Sequence, residues 1–298
     1  MRLVWSNMPD YYEYTRMIPV LLEFDLFGVP IRIYSYGLMM ALGFLSAGYV
    51  IWLDCKRRGI DAEYASTIIF WAALGGIAGS RIYHVIDNWR IYADDPGSIV
   101  WSSAGFVWYG GLIGGLTAVY LVSRYYKVPF GVTADMCGPA LAIGQAIGRL
   151  GCQLSGDGDW GLPSTLPWAM AYRNAIVGWN SDTVLKVDES GRLVSAFFPG
   201  VRVHPAPIYE TLLYLGVFWI LWRMRTKLKG PGRVLCLYFL LAGAARFAVE
   251  FVRVNPRVFY GLSEAQLIAI AMMVIGGLAF FYLGAQTHEL GAKARARA

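Results

Sequence analysis

Three ionisable residues are spaced so that they share one face of a single helix. Arg246, Glu250 and Arg253 stand at i, i+4 and i+7 in a stretch that is otherwise apolar, and side chains at such intervals lie on the same side of a helix. Arg149 and Arg81 lie near the ends of two other apolar stretches. Charged groups inside apolar stretches are costly, so their presence indicates a functional role.

Arginine outnumbers carboxylate in this group. An ion pair between Arg246 and Glu250 would use the one carboxylate and leave three arginines without an acidic partner. Unpaired buried positive charge favours an anionic ligand, and a guanidinium can donate two parallel hydrogen bonds to a phosphate. The pattern therefore predicts a site for a phosphate-bearing anion. The alternative is a set of internal salt bridges that bind no ligand.

A glycine-rich segment, GRLGCQLSGDGDWG, occupies residues 148–161. Its five glycines favour a loop, because glycine permits positive φ and close backbone approach, and the amide groups of such a loop can cradle a phosphate. The carboxylates of Asp157 and Asp159 suggest calcium as an alternative ligand. The segment lacks the twelve-residue calcium-loop pattern and its closing glutamate, so we expect no metal.

The sequence HPAPIYE at residues 204–210 opens a further apolar stretch. Pro207 suits the first turn of a helix, where its missing amide hydrogen is not needed. The side chain of His204 can titrate near neutral pH. It is therefore a candidate for proton transfer, and the alternative is an interfacial histidine that orients a loop.

The composition indicates that lipid is the solvent for much of the chain. Of its 298 residues 57% are hydrophobic and 15% charged, whereas about a quarter of the residues in a soluble domain are charged. The 34 glycines suit close helix packing in membranes, and the 11 tryptophans and 19 tyrosines suit membrane interfaces. The four cysteines show no metal-binding spacing, so we expect them to be small buried residues.

A helix needs about 20 mostly apolar residues to cross a membrane. Seven stretches meet or approach this requirement, at residues 34–53, 64–86, 105–122, 133–150, 207–222, 234–252 and 265–283. The sequence therefore predicts an all-α membrane protein with about seven transmembrane helices. Turn residues and short β-rich runs between spans four and five predict a small extracytoplasmic subdomain with a hairpin.

Basic residues sort to alternate ends of these spans. They follow spans one, three and five and end the chain, whereas the opposite loops are acidic. The positive-inside rule then places the N-terminus outside and the C-terminus in the cytoplasm, and it accounts for the net charge of +6 without nucleic acid. The first thirty residues contain no pattern of a cleavable signal peptide.

These predictions divide the chain into five regions. Residues 17–33 alternate apolar and charged positions, which is typical of a segment lying at the membrane interface. The regions are an external or interfacial N-terminal segment at 1–33, spans one to four at 34–150, the extracytoplasmic subdomain at 151–206, spans five to seven at 207–284, and a basic cytoplasmic tail at 285–298.

Five short motifs, in this order and topology, resemble those of the prolipoprotein diacylglyceryl transferase family. They are YSYGLM at 34–39, WYGGLIG at 108–114, GRLG at 148–151, HPAPIYE at 204–210 and RFAVEFVR at 246–253. The resemblance extends from about residue 28 to residue 283. Each motif is weak alone, but five in register are specific.

The resemblance implies that the sn-1,2-diacylglyceryl group of phosphatidylglycerol passes to the lipobox cysteine thiol of a prolipoprotein, and that glycerol-1-phosphate leaves. It implies no cofactor and no metal. The implied partners are phosphatidylglycerol, the lipobox signal peptide of the prolipoprotein and membrane lipid, with no nucleic acid. The implied location is the bacterial cytoplasmic membrane, which the chain crosses several times, with the active site facing the outer leaflet.

The resemblance also implies roles for named residues. Arg149 and Arg246 would hold the phosphate, Glu250 would orient an arginine, and the thiol must lose its proton because the thiolate is the nucleophile. The candidate catalytic residues are Arg149, Arg246, Glu250, Tyr109 and His204. The candidate substrate-binding residues are Arg149, Tyr36, Arg81, Gly151, Gly156, Asp157, Gly161, Tyr209 and Glu210.

The chain departs from the family pattern at several positions. Tyr109 replaces a histidine, and a phenol with an ordinary pKa of about 10 is a poor base at neutral pH. His204, Asp157, Asp159 or the phosphate itself is left as the proton acceptor. The other departures are Cys152 for asparagine, Ala242 for tyrosine, and Ser155-Gly156-Asp157 for Asn-Gly-Glu with one extra residue before Trp160-Gly161.

These departures keep two other functions open. The first is a divergent family member with another acceptor or donor. The second is a lipid-binding transporter or assembly scaffold, because buried arginines also occur in transport pathways. The chain lacks the paired interrupted helices of a repeat transporter, which counts against the second.

Overall fold

The computed structural model describes residues 17–27, 29–94, 107–172, 175–176, 183–187, 193–197 and 202–296. Helices predominate within these ranges. They are α1 Ser35–Arg58, α2 Glu63–Asp87, α3 Trp89–Asp94, α4 Trp108–Tyr125, α5 Phe130–Ser155, α6 Ala206–Met224, α7 Arg233–Val249 and α8 Glu264–Ala296. A short 3-10 helix, Glu250–Val252, continues α7.

Each of the seven predicted spans coincides with a long helix. In the described part of the chain, four helices are long and apolar enough to cross a membrane: Ser35–Arg58, Glu63–Asp87, Arg233–Val252 and Glu264–Gln286. The protein therefore crosses the membrane several times. The other three long helices, α4, α5 and α6, do not reach this standard on length and composition alone.

Three antiparallel strand pairs show that the expectation of an all-α protein was too narrow. Strands β1 Val20–Leu26 and β2 Val29–Tyr34 form one pair, β3 Thr183–Val187 and β4 Leu193–Phe197 a second, and β5 Arg257–Phe259 and β6 Leu262–Ser263 a third. The second pair confirms the hairpin predicted between spans four and five. Residues 1–16 of the predicted N-terminal segment, and parts of the loops, lie outside the described residues.

The first hairpin explains the alternating pattern of residues 17–33. Directly opposed residues share a face of a strand pair, so the pairs Leu22 with Ile33 and Phe24 with Ile31 make one apolar face. The opposite face carries Glu23, which accepts a hydrogen bond of 2.7 Å from Arg32. A period of two residues is the period of a strand.

The start of α8 illustrates how sequence sets a helix boundary. The hydroxyl of Ser263 accepts a hydrogen bond of 3.2 Å from the amide of Gln266, and the Gln266 side chain accepts one of 3.1 Å from the amide of Ser263. This reciprocal pair is a capping box, which satisfies two amide groups that lack partners in the helix.

The chain forms two compact units. The first comprises Met1–Gly43, Ala142–Arg223 and Cys236–Phe281, and the second comprises Phe44–Leu141, Met224–Leu235 and Tyr282–Ala298. Every member of the charged network described below belongs to the first unit.

Glycines bring α2 and α4 together in the second unit. A methyl group at Gly111 would lie 2.6 Å from the hydroxyl oxygen of Ser80, and one at Gly75 would lie 2.8 Å from the methyl of Ala118. Small residues at such crossings let membrane helices approach closely. Packing between α2 and α4 therefore accounts for Gly110, Gly111 and Gly114 of the WYGGLIG motif.

Two buried carboxylates, those of Asp135 and Asp54, bind neighbouring segments of the second unit. Asp135 accepts hydrogen bonds of 2.9 Å, 2.8 Å and 3.2 Å from the amides of Gly232, Val234 and Leu235 at the start of α7. Amides in a first helical turn lack partners within the helix. Asp54 forms ion pairs with three basic side chains near the end of α1 and after α6, those of Arg57, Arg58 and Arg225.

Candidate active site

A single buried carboxylate lies at the centre of the charged cluster. Glu210, in the first turns of α6, is 1% exposed and forms ion pairs with Arg149, Arg246 and Arg253. Its Oε1 accepts hydrogen bonds of 2.7 Å from Arg246 and 3.0 Å from Arg253. One acid thus gathers arginines from the end of α5, from α7 and from the segment after the 3-10 helix.

A second carboxylate bridges two of these arginines from the loop after α5. The Oδ2 atom of Asp159 pairs with Arg149, and its Oδ1 atom pairs with Arg253. The side chain of Asp159 is 30% exposed, and that of Arg149 is 27% exposed. These two groups are therefore the most accessible part of the cluster.

The third carboxylate is fully buried. Glu250 is 0% exposed, and its Oε2 lies 2.9 Å from Nη2 of Arg246. Its Oε1 accepts a hydrogen bond of 2.6 Å from the Asn255 amide, and its backbone carbonyl accepts one of 3.2 Å from Arg257. Glu250 is therefore ion-paired with Arg246, and Asn255 holds the Glu250 carboxylate by a hydrogen bond.

The predicted surplus of unpaired arginine charge is wrong. In the described first unit, the three arginines 149, 246 and 253 meet three carboxylates, those of Asp159, Glu210 and Glu250. The sequence argument compared the arginines with Glu250 alone, because acids from the glycine-rich segment and α6 could not be assigned to the same place. The cluster is an ion network of zero formal charge.

Electrostatics keep the accessible end of this network ionised. Burial disfavours the charged form of Asp159, but Arg253 and Arg149 outweigh burial and hold the pKa of its carboxyl below the ordinary value. Burial likewise disfavours the charged form of Arg253, while Asp159 and Glu210 raise its pKa. An ion pair is stable in such a site because each charge compensates the desolvation of the other.

The glycine-rich segment is not a loop throughout, which corrects the prediction. Helix α5 continues to Ser155, so Gly148 and Gly151 are helical, and only residues 156–161 form the loop. A methyl group at Gly151 would lie 3.0 Å from the Cβ of Met39 and 3.5 Å from the Cα of Tyr36. Close packing against α1 therefore requires this glycine, although glycine disfavours a helix.

Positive backbone angles occur where the loop begins. Gly156 has φ +64° and Gly158 has φ +96°, a region that is open to glycine and strained for most other residues. The side chain of Asp157, between them, accepts a hydrogen bond of 3.3 Å from the amide of Asp159. The two glycines thus turn the chain so that Asp159 reaches the arginines.

One group of donors in this loop resembles a metal site. The Sγ of Cys152 and carboxylate oxygens of Asp157 and Asp159 lie within 4.8 Å of one another. Both oxygens of Asp159 are paired with arginines, however. A cation at this position would face two guanidinium groups, so the donor set does not fit a metal ion.

Gly161 joins three segments of the chain. Its amide donates a hydrogen bond of 2.8 Å to the carbonyl of His204, and it pairs with Arg253 as an isolated β-bridge. A methyl group at this position would lie 2.8 Å from the Cβ of His204 and would also press on the carbonyl of Val252. Gly161 therefore allows the loop to carry Asp159 alongside Arg253.

His204 is part of a chain of side-chain hydrogen bonds. The indole nitrogen of Trp168 donates a bond of 2.7 Å to the hydroxyl of Tyr209, and that hydroxyl lies 3.1 Å from Nδ1 of His204. Indole can only donate, so the Tyr209 oxygen accepts from Trp168 and its own proton is available to Nδ1. This arrangement favours the tautomer of a neutral His204 that carries its proton on Nε2.

The remaining candidates are divided between the units. Tyr36 lies in the first unit, against Gly151. Arg81 and Tyr109 lie in the second unit, where Arg81 contacts the ring of Tyr92 and Tyr109 contacts Trp108. Four of the five predicted catalytic residues, Arg149, Arg246, Glu250 and His204, therefore lie in the first unit, and Tyr109 lies in the second.

Sequence reasoning left three members of the network out of the proposed site. Arg253 was visible on the i, i+4, i+7 face, and Asp159 was considered as a calcium ligand and as a proton acceptor. Asn255 gave no signal, because a single amide after a helix has no distinctive spacing. Only the fold shows that Asp159, and not Asp157, pairs with the arginines.

Comparison with known proteins decides the family. The family model described as prolipoprotein diacylglyceryl transferase matches residues 23–282. The chain belongs to this family. The matched region contains the whole charged network.

Curated relatives named phosphatidylglycerol–prolipoprotein diacylglyceryl transferase match along most of their own length. A protein from Clostridium tetani is 33% identical over 267 residues, which cover 89% of this chain and 97% of the relative. One from Dehalococcoides mccartyi is 32% identical and covers 83% of this chain and 88% of its own. One from Clostridioides difficile is 30% identical, with 87% and 94% covered. The family resemblance predicted from five motifs is confirmed.

Proposed function

We propose that this protein transfers the sn-1,2-diacylglyceryl group of phosphatidylglycerol to the lipobox cysteine thiol of prolipoproteins and releases glycerol-1-phosphate. Membership of the family and the names of its relatives support the reaction. The observation that carries the proposal is the network in which Arg149, Arg246 and Arg253 are fixed by three carboxylates. Prearranged cations stabilise a departing phosphate without reorganising during the reaction.

Partial exposure selects the arginines that bind the headgroup phosphate. The side chains of Arg149 and Arg246 are 27% and 21% exposed, whereas that of Arg253 is 8% exposed. We assign phosphate binding to the first two and a positioning role to the third. Each guanidinium fork retains donors that can face a phosphate while others bind a carboxylate.

The reaction requires a nucleophile, a leaving group and a proton acceptor. The thiolate of the acceptor cysteine attacks the glycerol carbon that carries the phosphate, and the carbon–oxygen bond breaks. Charge then develops on the departing phosphate, where arginine donors stabilise it. The hydrogen bonds of Tyr209 favour the Nε2–H tautomer of His204, and we assign this residue hydrogen-bond donation to a substrate oxygen.

The positions of the other candidate residues indicate smaller roles. Tyr36 and Gly151 form the wall where α1 meets α5, and Gly156, Asp157 and Gly161 shape the loop beside the arginines. Tyr209 orients His204, and Glu210 holds the arginines together. Tyr109 is assigned to catalysis by its motif alone, and Arg81 to headgroup binding by its position near the end of an apolar stretch.

We further propose that all seven long helices span the membrane. The basic groups after α1, α4 and α6 and at the C-terminus then lie in the cytoplasm, and the N-terminus lies outside. This topology puts Arg149, the loop after α5 and the β3–β4 hairpin on the outer side. The apolar face of β1–β2, whose Leu22 is 53% exposed and Phe24 41% exposed, then rests on the outer membrane interface.

The reaction can be tested with purified protein in vesicles that contain phosphatidylglycerol. Release of glycerol phosphate is measured with a lipobox peptide and with its cysteine-to-serine counterpart. We expect release with the cysteine peptide only, and a loss of roughly 100-fold or more in Arg149→Ala. Arg32→Ala, which removes an exposed ion-paired arginine, should retain activity. No release with either peptide would contradict the proposed reaction.

A further inference from the structure

The neutrality of the ion network has a consequence for any anion that enters it. Three arginines already meet three carboxylates in the described unit, and a phosphodiester brings one further negative charge. The neighbouring Arg257 does not change this balance, because it bonds the Gln266 side chain and a backbone carbonyl and is exposed to solvent. Excess charge in a partly buried site is unfavourable. One carboxylate must therefore withdraw or accept a proton when the anion binds.

Burial identifies the carboxylate that can withdraw. Glu210 and Glu250 are 1% and 0% exposed, and each lies on a helix or helical turn. Asp159 is 30% exposed and lies in a short loop that begins with the two positive-φ glycines. A rotation of its side chain toward solvent breaks the pairs with Arg149 and Arg253 and leaves the pairs of Glu210 intact.

We propose that the headgroup phosphate takes the place of Asp159 on Arg149, that Asp159 thereby also leaves Arg253, and that the displaced carboxylate accepts the proton of the attacking cysteine thiol. This inference rests on the proposed transferase function and adds a residue to it. The chain needs such a residue, because Tyr109 stands where the family pattern has a histidine. Before the phosphate binds, the carboxylate of Asp159 forms ion pairs with the arginines in its place.

Displacement changes the proton affinity of Asp159 in the required direction. Its pKa is held low by Arg253 and Arg149, whereas burial raises it. Once Asp159 leaves those arginines, their lowering effect on its pKa is lost while the carboxylate of Asp157 remains close, so Asp159 binds a proton more readily than in the resting state. The other ionisable groups that face Asp159 are Tyr36, Cys152, Asp157 and Tyr172.

The proposed step conserves atoms and charge. The substrate thiol transfers its proton to the carboxylate of Asp159, and the sulfur forms a bond with the glycerol carbon. The bond from that carbon to phosphate oxygen breaks, and its electron pair leaves with glycerol phosphate as a dianion. Departure of the dianion frees the arginines, and Asp159 releases its proton to water as it pairs with them again.

Asp159→Asn separates binding from proton transfer. The amide cannot accept the proton and competes less for the arginines, so kcat should fall by roughly 100-fold or more. Binding of phosphatidylglycerol should tighten by roughly fivefold, as expected when one partly exposed competing ion pair is removed. Asp159→Glu retains a carboxylate and should keep kcat within about tenfold of the original. Asp25→Asn, on the polar face of the hairpin, is the matched control and should change neither quantity.

A measurement on the unaltered protein tests displacement directly. A water-soluble carbodiimide with an amine couples to accessible carboxyl groups, and mass spectrometry locates the modified residue. Vesicles containing phosphatidylglycerol, without acceptor peptide, should increase modification at Asp159, whereas phosphatidylcholine vesicles should not. Equal modification in both vesicles would show that Asp159 stays on the arginines and would overturn the proposal even if the asparagine variant did not fold.

The two proposals fail in different ways. If the unaltered protein releases no glycerol phosphate with a cysteine peptide, the transferase function is wrong. If it does, but Asp159→Asn matches it in kcat and in phosphatidylglycerol binding, only the role of Asp159 is wrong.

Discussion

Glu210 and Arg246 are joined by a hydrogen bond of 2.7 Å between Nη1 and Oε1, at a carboxylate that is 1% exposed. The same carboxylate pairs with Arg149 and Arg253. Three guanidinium groups that would otherwise repel one another are thereby held in one place. Glu210 is thus the residue on which the geometry of the site depends most directly.

Replacement of Glu210 by glutamine should therefore damage both stability and activity. Breaking a buried ion pair by removing one partner costs roughly 3–5 kcal/mol, and three arginines lose a partner here. We expect a lower Tm in detergent and a loss of glycerol phosphate release. Glu23→Gln is the control, because Glu23 forms an ion pair that is 52% exposed on both sides. Equal Tm values for the two variants would contradict the assigned role.

The sequence predicted the positions of the seven long helices because apolar length is a local property. It also predicted the i, i+4, i+7 face of Arg246, Glu250 and Arg253, since helical periodicity places these residues. It could not predict that Glu210 and Asp159 would join them, because those contacts connect residues 36 and 94 positions apart. The resulting error concerned the charge of the site.

Glycine positions show the same limit. Gly151 was assigned to a loop because glycine disfavours helices, but its helix is favoured by close contact with Tyr36 and Met39. The sequence assigned no packing role to the glycines of the WYGGLIG motif, two of which pack against Gly79 and Ser80. Local propensity is a weak guide where tertiary packing decides the conformation.

Gly161→Ala should be destabilising, whereas Gly216→Ala should not. The new methyl at 161 would lie 2.8 Å from the Cβ of His204, while nothing lies within 4 Å of the corresponding position at 216. Overpacking of this kind costs roughly 1–3 kcal/mol. Thermal unfolding of the two variants provides the comparison, and an unchanged Tm for Gly161→Ala would show that the loop can move away.

Arg149→Lys should be nearly as damaging as Arg149→Ala. Arg149 reaches Asp159 through Nη1 and Glu210 through Nε, and a single ammonium cannot reproduce this planar fork. We expect kcat/KM to fall by roughly 100-fold in both variants. Arg32→Lys provides the matched exchange at an exposed pair. Activity of Arg149→Lys near that of the original protein would indicate that charge alone suffices.

The stabilisation contributed by the ion pairs of Asp159 should change with pH only under acidic conditions. Its carboxyl has a lowered pKa in the fold, so its ion pairs stabilise the protein fully above the ordinary aspartate value of about 3.9. This stabilisation is lost as the pH falls through the lower folded-state value. The Tm difference between the original protein and Asp159→Asn should be constant from pH 8 to pH 5 and should narrow below about pH 4. A difference that narrows already between pH 7 and pH 5 would contradict the low pKa.

The proton of neutral His204 should reside on Nε2. Trp168 donates to the Tyr209 hydroxyl at 2.7 Å, and that hydroxyl lies 3.1 Å from Nδ1 of His204. Nitrogen-15 NMR distinguishes the two tautomers, and the chain has only 3 histidines to assign. Tyr209→Phe should mix the tautomers and lower kcat, because it removes the hydroxyl that directs the proton. Trp168→Phe leaves the bond between Tyr209 and His204 in place. It should therefore have a smaller effect than Tyr209→Phe on the tautomer ratio and on kcat. If the Nδ1–H tautomer predominated in the original protein, His204 would present a lone pair at Nε2 and would again be a candidate for the proton acceptor.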